Sequence, residues 1–124
     1  MSVWSAEELS ALEDAEELEI ASRRPDGTLR AYVTVWAVRL GDAIYVRSAH
    51  GPENPWFVRA KAAGEGRIRS GGMERDTRFT TPGPEVADGV TALIHAKYDR
   101  FGAQYVDPII SADAVRSALR IDPA

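Results

Sequence analysis

Hydrophobic positions change their period several times along this 124-residue chain, and each change marks a different element. Ser5-Ala6-Glu7-Glu8 has the spacing of a capping box, and Leu9 and Leu12 follow at helical spacing, so a short amphipathic helix is predicted there. Leu18 and Ile20 then alternate with Glu17 and Glu19 as a strand does, until Pro25-Asp26-Gly27 supplies a turn. Thr28 to Arg39 is dense in β-branched and aromatic residues and is long enough to bend around a barrel. After Gly41-Asp42 a period of two returns: Ile44, Val46 and Ser48 point one way, and Tyr45, Arg47 and Ala49 the other.

Asn54-Pro55 reads as a helix start, with a helix from Trp56 to Ala63 stopped by Gly64. Arg67-Ile68-Arg69 and Thr77-Arg78-Phe79-Thr80 read as two further short strands. Beyond the breaker Thr81-Pro82-Gly83-Pro84, the residues Val86, Val90, Leu93, Ile94, Lys97, Tyr98 and Phe101 form one stripe of a helix from about Glu85 to Phe101. Ser111 caps a last short helix carrying Val115, Ala118 and Leu119, and Leu119 to Ile121 adds a final edge strand. The pattern predicts a mainly β, α+β domain over residues 1–124: about six antiparallel strands with flanking helices.

Composition narrows the chemistry. Cysteine is absent, which removes thiol catalysis, thiolate metal sites and disulfides and fits a reducing compartment. The N-terminus Met1-Ser2-Val3-Trp4-Ser5 has no basic or apolar signal region, and no apolar run nears ~18 residues, so the cytoplasm is the expected location and no membrane span is predicted. The net charge of −4 is unevenly spread: residues 1–22 carry −7, residues 23–78 carry +5 and residues 79–124 carry −2. Thirteen of the fifteen bases are Arg, the side chain that grips phosphate or carboxylate with a planar fork. Codon bias accounts for the Arg count as readily as function does, but not for the concentration in the middle block. An acidic total argues against general nucleic-acid binding, which needs a broad basic face.

The usual catalytic constellations are missing. His50 and His95 are the only histidines and lie on different elements, so neither a zinc site nor a histidine-dependent hydrolase is expected. His50 sits in a Gly/Pro loop, where it is a solvated side chain, a ligand donor or a haem ligand. The glycines of Gly64-Glu65-Gly66 and Gly71-Gly72 do not make the dinucleotide-binding fingerprint. The richest stretch runs from Tyr45 to Lys61, where a strand end, a Gly/Pro loop and a helix start gather cations beside aromatics. Such a combination holds a phosphate and a flat ring together. Arg47, Ser48, Trp56, Arg59, Lys61 and Arg67 are the candidate cofactor-binding residues. Outward cations pairing with carboxylates across a sheet would account equally for Lys61 and Arg67. Trp56 doubles as a core anchor and Trp36 and Tyr32 as barrel filling, while Lys97-Tyr98 at the helix edge is open to two readings, packing alone or a reach into the groove.

The pattern Trp36-Ala-Val-Arg-Leu-Gly-Asp, Tyr45-Val-Arg-Ser, Gly51, Pro55-Trp56, Arg59-Ala60, Gly66-Arg-Ile and Lys97-Tyr98 resembles an uncharacterised bacterial family, domain-of-unknown-function family 2255, over nearly the whole chain. The block from Val46-Arg-Ser to Pro55-Trp-Phe is also similar to the deazaflavin-dependent nitroreductases, across residues 30 to 72 or so. That second resemblance implies a split β-barrel, usually a homodimer, with FMN or a deazaflavin coenzyme in a groove between barrel and partner. Arg47, Ser48, Trp56 and Arg59 would face the cofactor, and an oxidoreductase would be the expected activity. The chain departs from the nitroreductases in its acidic first helix and in lacking the Asn that follows their Trp motif. Two other readings fit the same residues: a non-catalytic module for a phosphorylated metabolite or haem, and a structural homodimer joining the basic strip of one subunit to the Glu7–Glu19 segment of another.

Overall fold

A computed structural model of the chain describes residues 3–124; Met1 and Ser2, part of the N-terminus read for an export signal, lie outside the described residues. Seven antiparallel strands run β1 (Leu18–Ser22), β2 (Val33–Val35), β3 (Ala37–Leu40), β4 (Ala43–Arg47), β5 (Glu65–Ser70), β6 (Met73–Thr80) and β7 (Ala118–Pro123). Their spatial order is β2-β1-β5-β6-β7-β4-β3. The two edges, β2 and β3, are halves of the one long strand, interrupted at Trp36. The first half pairs with β1 and the second with β4, so the sheet curls into a nearly closed barrel whose one seam is this break.

Helices α1 (Ala6–Asp14), α2 (Pro55–Ala63), α3 (Ala87–Tyr98), α4 (Ala103–Ile110) and α5 (Ala112–Val115) flank the sheet. The capping box at Ser5 and Glu8 forms in both directions, and α1 buries Leu9 and Leu12 as its spacing demands. Helix α2 ends on Gly64 at φ 68°, a left-handed cap that glycine adopts without a Cβ penalty. Pro55 occupies its first turn, although Asn54 makes no side-chain cap bond.

Two cores follow from the period of two in β4. Ile44 and Val46 join Leu18, Ile20, Ile68, Phe79, Leu119 and Ile121 in one core, which Leu9, Leu12 and Phe57 of the helices also enter. Ala43 and Tyr45, on the other face, meet Val90, Ile94 and Tyr98 of α3 and Val106 and Ile109 of α4. Trp4 also enters the first core, its indole Nε1 donating to the Ile121 carbonyl at 3.0 Å.

Four sequence expectations change. The barrel expected with about six strands has seven, because the long strand breaks in two. Residues 118–121 are neither a helix end nor an edge strand: α5 stops at Val115, and β7 lies between β6 and β4. Non-local pairing decides edge or centre, and local alternation carries no record of it. Helix α4 was unforeseen, since Pro108 inside it removes a backbone donor and reads as a breaker. The last long helix is α from Ala87 to Tyr98, with 3-10 turns at both ends.

Candidate functional site

Period-two alternation puts Arg47 on the same face as Tyr45, under the helical layer, where only 3% of it is exposed. Among the described residues no carboxylate reaches it. Its Nη1 donates to Thr91 Oγ1 (2.8 Å) and the Ile109 carbonyl (3.3 Å), and its Nη2 to the Ala87 carbonyl (2.9 Å). Its Nε is buried without a partner. Burial pulls the guanidinium below its usual range, but an arginine stays protonated in any ordinary buffer. A buried cation bonded only to neutral groups is an incomplete arrangement.

One side of Arg47 faces a groove of about 540 Å³, a volume within the ordinary range for small-molecule sites. The groove runs along the seam. Val33, Thr34, Val35 and Trp36 form one wall, Asn54 and Trp56 another, and His50, Tyr105 and Ile109 also line it. Trp36 and Trp56 are half-buried. Trp36 stacks on Tyr98 with centroids 4.0 Å apart and planes 6° from parallel, which fixes its orientation. Trp56 meets Phe57 edge-on at 6.0 Å and packs on the barrel core.

Beyond Trp56 lies a second, smaller hollow of about 120 Å³. Arg30, Arg59, Ser22, Val33 and Trp56 are among its walls. The Arg30 Nε is buried and unpartnered, and neither Arg30 nor Arg59 has a carboxylate partner among the described residues. Trp56 and Val33 belong to both hollows, so three arginines without carboxylate partners flank one tryptophan.

The six candidates therefore divide. Arg47 and Trp56 meet in the groove, and Arg59 meets Trp56 in the adjoining hollow. Ser48 is fully buried and lines neither. Lys61 is exposed, its ammonium 6.0 Å from the Phe57 ring. Arg67 is bound to Asp76 at 2.9 Å on the β5–β6 surface, where Arg23 holds the same carboxylate. Arg30 was missed; its signal was a charge in the otherwise apolar run Leu29 to Val33, which a barrel strand does not carry without cause. Trp36, read as barrel filling, is a groove wall.

Lys97 and Tyr98 turn inward to the seam. The Tyr98 hydroxyl accepts from the Ala37 N–H (3.1 Å) and donates to the Glu16 carbonyl (2.8 Å). Lys97 Nζ donates to the Ala37 carbonyl at 2.8 Å. These side chains satisfy backbone groups at the residue where β2 gives way to β3. Desolvation raises Tyr98 to about 12 and lowers Lys97. His95 is a surface residue 2.8 Å from Asp99.

Another hollow, of about 750 Å³, has Trp4, Arg39, Arg78 and Arg120 among its walls and shares none with the groove. Two of its three arginines are already paired, Arg39 with Glu13 and Arg120 with Asp122. Among the described residues no cluster of three metal-ligating side chains occurs, and no helix is long and apolar enough to cross a membrane.

Fold and site together define a split β-barrel protein with a groove along its seam. The chain belongs to the family described as "Uncharacterized protein conserved in bacteria (DUF2255)", whose model matches residues 8–121. No curated protein matches it in sequence at a significant level. Among solved structures it is similar to an F420 reductase, at 18% identity and a TM-score of 0.60 over 93% of this chain and 91% of that one. It is also similar to the conserved hypothetical protein Rv2991 of Mycobacterium tuberculosis, at 13% identity and a TM-score of 0.60, with 99% of this chain and 81% of that one covered. A third is the FAD and heme binding protein of Mycobacterium smegmatis, at 16% identity and a TM-score of 0.54, covering 97% and 66%. At such identities the likeness is one of fold.

Proposed function

We propose that this protein binds a phosphate-bearing flavin or deazaflavin, with the planar ring in the seam groove and the phosphate in the Arg30/Arg59 hollow. The observation that carries this is Trp56, a flat half-buried wall shared by a ring-sized groove and a phosphate-sized hollow that holds the exposed Arg59 and the buried, unpartnered Nε of Arg30. The names of two neighbours, an F420 reductase and a FAD and heme binding protein, support it. Trp36, held by Tyr98, and Trp56 would pack against the ring, and Arg47 would face it as a charge. Arg30 and Arg59 would give the phosphate charge-assisted bonds, and Arg can make them bidentate. When bound, the coenzyme supplies hydride chemistry, and the protein supplies orientation, charge and exclusion of water. An oxidoreductase is the activity that follows, on a homodimer whose second copy completes the groove.

FMN and coenzyme F420 titrated separately into purified protein, followed by fluorescence and thermal shift, test the reading. Binding of either one, weakened more than tenfold by Arg59→Ala or Arg30→Ala, is expected, on the scale of ~1.5–3 kcal/mol for a charge-assisted bond. No response to either compound, or full affinity in both variants, would end it. Haem is the remaining arm, because His50 lines the same groove. A Soret shift lost in His50→Ala would move the ligand from flavin to haem. Light scattering with and without coenzyme tests the dimer.

A further inference from the structure

Arg47 separates two cavities. The groove is one; behind it lies a cleft of about 300 Å³ walled by Tyr45, Pro82, Pro84, Val90, Val115 and Ala118, with Arg47 and Arg116 as its only bases. The guanidinium reaches both sides: the partner of Nη1, Ile109, lines the groove, and the partner of Nη2, Ala87, lines the cleft. An arginine carries five N–H donors, and three are used here, two on Nη1 and one on Nη2. The Nε–H and one Nη2 hydrogen remain. Nε is buried with nothing to receive its proton, and Nη2, bonded to the Ala87 carbonyl, is the end of the guanidinium tied to the cleft wall.

We infer that this cleft is a second ligand site, for a small monocarboxylate with an aromatic or branched hydrocarbon body. The choice of ligand follows from the walls. Proline, valine, alanine and tyrosine side chains offer apolar contact to the body. One buried, fully charged cation without an acid matches one negative charge, and Arg116, largely exposed and held by Asp113, adds only long-range attraction. A phosphate dianion would leave a charge unmatched in an apolar cleft. The site stands apart from the coenzyme reading, since apart from Arg47 the two cavities share no wall.

Titration of ¹⁵N-labelled protein with benzoate and with benzamide tests the inference. The two probes have the same shape, and only the first carries charge. Saturable amide shifts at Thr81, Gly83, Val115, Arg116 and Ala118 are expected with benzoate, with affinity for benzamide at least about tenfold weaker. Val115→Trp, which fills the cleft from α5, should abolish these shifts and leave the response of His50 and Trp56 to added FMN unchanged. Arg47→Lys keeps the charge but loses the fork, and should weaken benzoate without abolishing it. Equal binding of the two probes, shifts centred on His50, Asn54 and Trp56, no saturable shift, or persistence of binding in Val115→Trp would overturn it. Because FMN is read separately at the groove, failure of the cleft and failure of the coenzyme site give different spectra.

Discussion

Substituting Tyr98 by Phe removes one oxygen from the interior and leaves the ring's shape intact. The residue is wholly buried, and its hydroxyl serves two backbone groups, the Ala37 N–H and the Glu16 carbonyl. Without it the Ala37 N–H stays buried without a partner and the part-buried Glu16 carbonyl loses its donor, while Lys97 still holds the Ala37 carbonyl. Two neutral hydrogen bonds plus the exposed desolvation cost come to about 2–3 kcal/mol. With an unfolding entropy of roughly 2.1 cal/mol/K per residue, that is a fall in Tm of about 8–12 °C for a chain of this length. Circular dichroism melts at pH 7.5 measure it. The alkaline limb gives a second, independent reading. The folded Tyr98 titrates at about 12, against about 10 unfolded, so its contribution is whole below pH 10 and is lost as pH rises towards 12. Two units correspond to at most about 3 kcal/mol, and the difference between wild type and Tyr98→Phe should shrink over that window. A Tm change under about 3 °C, or parallel alkaline limbs in the two proteins, would refute the idea that this hydroxyl closes the seam.

Three further outcomes are expected. Gly66→Ala should leave no folded protein at 37 °C on a urea or thermal melt, because a Cβ there would sit 2.0 Å from the Ala21 carbonyl oxygen of the adjacent strand and 3.0 Å from Phe79. Ser5→Ala opens the capping box of α1 and should cost about 1 kcal/mol, read as a Tm lower by about 4 °C. On the acid side, the Arg67 hydrogen bond holds Asp76 below the ordinary carboxylate range. Its stabilisation is present above the unfolded value near 4 and is lost as pH falls through the folded one. Asp76→Asn should flatten that acid limb by less than about 1 kcal/mol in a pH series of melts, since the pair is solvent-screened.

The sequence made most local structure legible, because caps, turns and alternation are written in neighbouring residues. The Ser5 box, the Pro55 start, the Gly64 stop and the two faces of β4 all came from such signals. What escaped was non-local. Nothing near Leu119 records that β6 and β4 lie on either side of it, and nothing near Trp36 records that its strand serves both edges of the sheet. The site shows the same division. Period two placed Arg47 opposite Val46, but the carbonyls that receive its protons belong to α3 and α4, some forty to sixty residues away. Arg30 and Trp56 meet only because β1 packs between the strand start and α2, a contact with no trace in either segment.

Charge pairing explains why the remaining cations are the informative ones. The acidic first segment and the basic middle of the sequence suggested one subunit gripping another. Within the chain Glu8 already holds Arg75, Glu13 holds Arg39 and Glu19 holds Arg69. Arg23 and Arg67 share Asp76. Much of the uneven charge along the sequence is thus matched in space, although Glu7, Asp14 and Glu17 of the same acidic segment make no ion pair among the described residues. Exposed bases left over, such as Lys61 and Arg78, need no counter-ion, because water screens them. Arg47 and Arg30 differ, each with a buried Nε and neither with a carboxylate. Desolvating a guanidinium without an anion opposes folding, and of the arginines without a carboxylate partner these two are the ones with a buried, unpartnered Nε beside a cavity. Under the two proposals above an anion from outside would complete them, in the groove or cleft beside Arg47 and in the small hollow beside Arg30.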